Sequence, residues 1–221
     1  MAELSGLRAL VTGDLGTDFG PDAVWSAATA SGPIDILVNN AGFGAFRAFA
    51  RTEATRDAEM IQLNITSLVD LSKRFLAQDR PRGYLLNIAS IGAYQSVPNM
   101  ALYAASKAFV RNFTEALHDE LRGSPISATC ICPGGTETAF HAAAGAGDYG
   151  WIANASMMSA EAVAKITVRA MRKGTRNLLP GLPNKIAAWS VRLVTRRIAS
   201  WLASRILGKP KVAALPTRSA A

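Results

Sequence analysis

Acidic side chains run out early in this chain. None follows Glu161, while twelve basic residues stand between Arg169 and the C-terminus. A tail without acids cannot neutralise itself through its own ion pairs. It suits anionic lipid, nucleic acid or an acidic partner, or else it is a solvated helix face. Cysteine is also scarce. Cys130 and Cys132 are the only two, which excludes a disulfide-stapled scaffold. On an extended strand they would share a face, with Cα atoms near the limit for a disulfide, so they read as buried, reduced thiols of a cytoplasmic protein. His118 and His141 read as structural or solvated, and no metal is expected. No apolar run reaches the roughly 18 residues of a membrane span. Met1 to Leu10 lacks the sustained apolar stretch of a secretory leader. Internal repeats are absent.

What is present suits a compact α/β protein. Of 221 residues, 49% are hydrophobic and 18% charged, enough for one well-buried domain and too few for two of ordinary size. The whole chain, 1–221, reads as a single domain with a core over 1–180 and a basic helical extension over 181–221. Buried strands are expected at Arg8 to Gly13, Ile34 to Asn39, Tyr84 to Ala89 and Ile126 to Cys132, from apolar, β-branched runs. Asn177 to Leu179 is a further short strand. Helices are expected over Pro21 to Ser31, Thr55 to Ala77, Leu102 to Leu121 and Ala160 to Met171. Such alternation argues for a parallel sheet wrapped on both faces. In the first long helix Ile61, Asn64, Leu68, Leu71 and Phe75 follow three-then-four spacing and should line one buried face. Asn64 is the one polar member, and a buried amide needs partners.

Tyr103 and Lys107 carry the chemistry. Positions i and i+4 share a helix face, so the Lys107 ammonium can sit beside the Tyr103 phenol. A neighbouring positive charge favours the ionised phenol and draws its pKa down from about 10. A phenol tuned in that way can give a proton to an oxygen or take one from it, which is what interconverting a carbonyl and an alcohol requires. Ser90, after a strand, could supply a hydroxyl to the same oxygen.

Together Thr12-Gly13, Asn39-Asn40-Ala41-Gly42, Asn64, Ser90, Tyr103 with Lys107, and Pro133-Gly134 with Thr136 and Thr138 resemble the short-chain dehydrogenase/reductase family. The resemblance covers nearly all of the chain from Gly32 onward. It implies a three-layer Rossmann-like parallel sheet and hydride exchange with a nicotinamide cofactor, NAD or NADP. By that resemblance Tyr103 is the general acid/base. Lys107 holds its pKa down and binds the nicotinamide ribose, Ser90 holds the substrate oxygen, and Asn64 carries a proton relay through water. Gly13, Asp14, Asn40, Ala41, Gly42, Pro133, Gly134, Thr136 and Thr138 would join Tyr103 and Lys107 in binding cofactor. Thr136 or Thr138 would touch the nicotinamide carboxamide or the neighbouring phosphates. The family also implies a homodimer or homotetramer built on the two long helices. Ser90 read alone is a cap, and Asn64 read alone is an amide tying helix to sheet. Phe43, Phe46 and Phe49 read as packing beside the site.

The pattern breaks near the N-terminus. The family follows Thr-Gly with a glycine-rich turn whose backbone N–H groups and helix dipole hold pyrophosphate. Here Thr12-Gly13 runs into Asp14-Leu15-Gly16-Thr17-Asp18, with two acids where phosphate would lie. The distance to Asn39 is short by more than one βαβ step of about 30 residues. Asp14-Leu15 resembles the end of the family's third strand, as if the second and third strands were lost from the sheet order 3-2-1-4-5-6. The first strand would then become an exposed edge.

From Pro180 to Leu207 the chain resembles the tail of a subgroup of these reductases, Pro180-Gly181-Leu182-Pro183 followed by a basic helix. On one continuous helix Lys185, Arg192 and Arg196 share a face, with Ile186, Trp189 and Leu193 to one side. Either this helix lies on an anionic membrane surface or it packs over the substrate pocket or a subunit interface. No motif for reading nucleic acid accompanies the charge.

Overall fold

The structure, a computed structural model, describes residues 14–137 and 157–206. Among the described residues the main sheet has four strands, all parallel, in the order β1 (Ile36–Asn39), β2 (Gly83–Ile88), β3 (Ile126–Ile131) and β6 (Asn177–Leu178). A second parallel pair, β4 (Thr136–Glu137) with β5 (Met158–Ser159), ties together the ends of the loop that follows β3. The expected strand Arg8 to Gly13 lies outside the described residues.

Helices cover both faces. On one side lie α1 (Gly20–Thr29), α2 (Ala54–Ile61), α3 (Ser67–Leu76) and α4 (Ala101–Glu120). Phe75 of α3 is buried there against Leu85, Ile126 and Ala128, with Trp25 and Leu117 closing the layer. On the other side α5 (Ala160–Arg172) sets Ala170 and Met171 against Leu86 and Ile131. Alternate strand residues point to opposite faces, so this second face also carries Ile36 and Val38. Ile36 packs against that cluster, whereas Val38 is left 49% exposed.

The first long helix holds a correction. A single π-helical turn, Gln62–Thr66, separates α2 from α3, and the Ser67 N–H bonds back five residues to the Gln62 carbonyl. One extra residue in a turn rotates everything before it by about a residue's worth of arc. Met60 therefore takes the buried position at 1% exposure, and Ile61 sits outside at 42%. Asn64, Leu68, Leu71 and Phe75 are buried as expected.

Arg80 pins the far end of that helix. Its guanidinium stacks 3.9 Å over the Phe75 ring and donates to the Phe75 carbonyl at 2.5 Å and to the carbonyl of Ile34 before β1. Burial lowers its pKa.

The extension is the second correction. It forms two helices, α6 (Leu182–Ser190) and α7 (Arg196–Ile206), with a 3-10 turn at Val191–Leu193 between them. Val194 is extended, at φ −121° and ψ 159°. That break removes Arg196 from the face that carries Lys185 and Arg192.

Candidate active site

The strand ends and two helices converge on a buried polar cluster. Its centre is Asn64, held by the π turn. The amide Oδ1 accepts the Phe43 N–H at 3.2 Å, and Nδ2 donates to the Phe43 carbonyl at 3.0 Å and to Ser106 Oγ at 3.1 Å. Asn64 thus locks the loop after β1 to both long helices. Its side chain makes the tie that its residue type alone suggested.

Lys107 reaches under the same loop. It is 5% exposed, lies 5.9 Å from the centroid of the Tyr103 ring, and donates to the Ile88 carbonyl at 2.8 Å. Burial pulls its pKa down to about 8. Gly42 packs against both residues: a Cβ built there would lie 2.9 Å from Asn64 Oδ1 and 3.4 Å from Lys107 Nζ. Only glycine lets the backbone approach this closely. The structure therefore brings Gly42, Asn64, Tyr103 and Lys107 together at the carboxyl end of the sheet.

Tyr103 is partly buried beside Phe46, Val97, Met100 and Ala104. Asn99, four residues earlier, adopts φ +66° and accepts the Arg47 N–H at 2.7 Å. Asparagine is among the few side chains that tolerate this left-handed geometry. Of the three phenylalanines, Phe46 packs beside Tyr103 at 3% exposure, Arg56 stacks on Phe43 at 4.0 Å, and Phe49 is 59% exposed.

Ser90 sits two residues beyond the Ile88 carbonyl that Lys107 holds. Its Oγ accepts the Gly92 N–H at 3.1 Å and caps a short 3-10 turn, Ile91–Tyr94. The next residue, Ile91, donates to the Pro133 carbonyl at 2.8 Å, so Ser90 and the Pro133-Gly134 turn are adjacent. Thr136 Oγ1 donates to the Gly134 carbonyl at 3.3 Å. Asn40 and Ala41 are exposed after β1. Asp14 is exposed too, and its carboxylate accepts the Gly16 N–H at 2.8 Å. Gly13 and Thr138 lie outside the described residues, as does His141. His118 Nδ1 meets the Ala128 carbonyl at 2.9 Å, well away from the cluster in the fold. Cys130 and Cys132 are buried and unbridged, with sulfurs 3.7 Å apart.

Several supporting groups stand outside the residues that the sequence marks for catalysis or cofactor binding. Ser106 is the third partner of Asn64, and its place between Tyr103 and Lys107 was the available signal. Asn39, Asn87 and Thr114 form a buried chain: Asn39 Nδ2 donates to Asn87 Oδ1 at 2.8 Å, and Asn87 Nδ2 donates to Thr114 Oγ1 at 2.9 Å. Asn184 of α6 is a further such group. It is 4% exposed, bonds the Pro180 carbonyl at 2.8 Å, and a Cβ on Gly134 would collide with it at 2.4 Å. The extension is therefore seated against the turn after β3.

A family model described as short chain dehydrogenase matches residues 9–149, more than half of the chain and all of this cluster. The chain belongs to that family. Short-chain dehydrogenases with solved structures share its fold. A 7β-hydroxysteroid dehydrogenase superposes with a TM-score of 0.73 at 22% identity, over 89% of this chain and 75% of that one. A short-chain dehydrogenase from Sphingobium yanoikuyae in complex with NADPH gives 0.68 at 23% identity, over 95% and 76%. Among curated relatives, serine 3-dehydrogenase of Agrobacterium fabrum (strain C58) is 36% identical over 109 residues, which is 48% of this chain and 44% of that protein. The chain spans less than half the length of the first curated relatives it matches, 37% to 42% in three of them.

Proposed function

We propose that the chain interconverts a small-molecule carbonyl and alcohol, with Tyr103 moving the proton and Lys107, Asn64 and Ser90 supporting it. The observation that carries this reading is the buried Lys107 ammonium beside the Tyr103 ring. An ammonium has three donors, and among the described residues Lys107 makes one hydrogen bond, to the Ile88 carbonyl. Two donors remain for a ligand, which fits the hydroxyls of a nicotinamide ribose. A bound nicotinamide would supply or accept the hydride. Lys107 would orient its ribose, Gly42 would admit the backbone of the Asn40-Ala41 turn to it, and Pro133, Gly134 and Thr136 would border the ring.

The other half of a dinucleotide finds less here. Asp14 presents an exposed carboxylate, and Gly13, Gly16 and Gly20 do not have the spacing of the family's glycine-rich turn. NAD or NADP would then be held chiefly through its nicotinamide end. The oxygen of the substrate would lie between Tyr103 and Ser90, whose hydroxyl is already oriented by the Gly92 N–H. Asn64 is a positioning residue: its side chain is consumed by Phe43 and Ser106, so any relay through it would use its backbone carbonyl in the π turn.

Fluorescence titration with NADH and NADPH tests cofactor binding, and saturable quenching is expected. In a coupled assay Tyr103→Phe should lower turnover by about 10²–10⁴-fold and leave cofactor affinity nearly unchanged. Absence of saturable binding by either nucleotide would reject the reading. A homodimer or homotetramer through the two long helices fits the exposure of Ile61 and Phe109, 42% and 39%. Light scattering behind size exclusion checks it.

A further inference from the structure

The extension shows water what the core hides. Thirteen large hydrophobic side chains are exposed among the described residues, and eight of them lie between Leu182 and Leu202. On α6 and the turn after it, Leu182, Ile186, Trp189 and Leu193 recur at spacings of four, three and four, one stripe of a helix. All four are at least 60% exposed. The opposite side of α6, Asn184 and Ala188, is the side buried against the protein. On α7, Ala199 and Ala203 are buried, while Ile198, Trp201 and Leu202 face outward at 41% to 55% exposure. The helices are thus seated by one side and present an apolar stripe on the other. Contiguous exposed apolar surface of this kind marks an interaction site.

Charge selects the partner. Lys185, Arg192, Arg196, Arg197 and Arg205 are all exposed on these two helices and the segment joining them. None of them forms an ion pair among the described residues. The Arg205 guanidinium lies 5.3 Å over the Trp201 ring. No acid follows Glu161 to offset them. A second copy of the chain meeting this surface across a two-fold axis would set like charges against each other. A nucleic acid would use the charges and leave two tryptophans and six aliphatic side chains in water. An anionic bilayer uses both: tryptophan favours the headgroup boundary, lysine and arginine extend toward lipid phosphates, and the aliphatic stripe enters the acyl region. No described helix is long and apolar enough to cross a membrane, so the mode is lying on the surface. We infer that α6 and α7 dock this protein on an anionic membrane surface through the stripe from Leu182 to Leu202. This inference does not rest on the proposed catalysis.

Flotation of the full chain decides it, with vesicles of phosphatidylglycerol and phosphatidylcholine in equal parts and with phosphatidylcholine alone. The chain should float with the first, remain behind with the second, and leave the first at high salt. The triple variant Lys185→Gln, Arg192→Gln and Arg196→Gln should lose about a hundredfold in partitioning, at roughly a factor of five per charge. The double variant Trp189→Ser and Trp201→Ser should lose the blue shift of tryptophan emission on vesicle addition while retaining wild-type circular dichroism. No flotation with anionic vesicles overturns the proposal, as does equal flotation with neutral ones. A blue shift that develops with protein concentration in the absence of lipid would assign the stripe to self-association and overturn it too.

Discussion

The helices around the site and the helices of the extension invert each other. The π turn, α3 and α4 bury Asn64, Ser72, Ser106, Lys107 and Thr114 at 5% exposure or less, while α6 and α7 leave Trp189 and Trp201 more than half exposed. Burying a polar group costs several kcal/mol unless it is paired, and exposing an apolar stripe forfeits burial that folding would otherwise gain. Asn64, Ser72, Ser106 and Thr114 are paired within the fold, and the outward stripe has no such compensation. Under the proposals above, Lys107 would meet a ligand and the stripe on α6 and α7 a membrane surface.

Breaking the inner region should have the largest effect on stability. Asn64→Leu strands the Phe43 N–H and carbonyl inside the protein, and should cost about 2–4 kcal/mol in urea unfolding. An Asn64→Leu chain that unfolds at the wild-type midpoint would show that the lock is not needed. Gly42→Ala should cost about 1–3 kcal/mol, because the added methyl would lie 2.9 Å from Asn64 Oδ1, on an amide already held by Phe43 and Ser106. The same variant should weaken cofactor quenching.

Lys107 sharpens the comparison through pH. Burial puts its folded pKa at about 8, below the ordinary lysine value of 10.5. Between those two values the unfolded chain carries more protons, so stability should rise as pH climbs from about 8 to about 10.5. Below pH 8 the full penalty of the buried charge is present. Lys107→Met should remove that slope, whereas the wild type should lose on the order of 3 kcal/mol between pH 10.5 and pH 7. Parallel pH–urea maps of the two proteins would show it. If the ammonium supports Tyr103, wild-type turnover should also decline as pH passes upward through about 8.

The smallest effect is expected on the outside. Trp189→Ser should shift the unfolding midpoint by no more than about 0.5 kcal/mol, since its ring touches little in the folded chain. A large loss there would mean that the stripe packs within the molecule after all.

Most of the site could be read from residue order. The Tyr103 to Lys107 spacing, the Asn39-Asn40-Ala41-Gly42 turn and the buried Asn64 are all local patterns set on strongly periodic elements. What could not be read were the partners across the fold. Nothing local announces that Gly134 must be glycine because of Asn184, fifty residues away, or that Asn64 would spend its amide on Phe43. The outward turn of Ile61 was illegible for a related reason. A π turn keeps the composition of an α-helix and changes only the hydrogen-bond span. The single helix expected over the basic tail failed at Val194, a residue that carries no helix-breaking signal.

By itself the sequence determined the parallel α/β class, the order of strands and helices, and the pairing of a phenol with an ammonium one turn on. These depend on hydrophobic period and i to i+4 spacing, which are properties of neighbours along the chain. Only the tertiary structure decided that Lys107 is buried, that Gly42 and Asn64 close over it, and that the stripe on α6 and α7 faces outward. Burial is a property of what packs from elsewhere, and the pKa of Lys107 and the exposure of Trp189 follow from it.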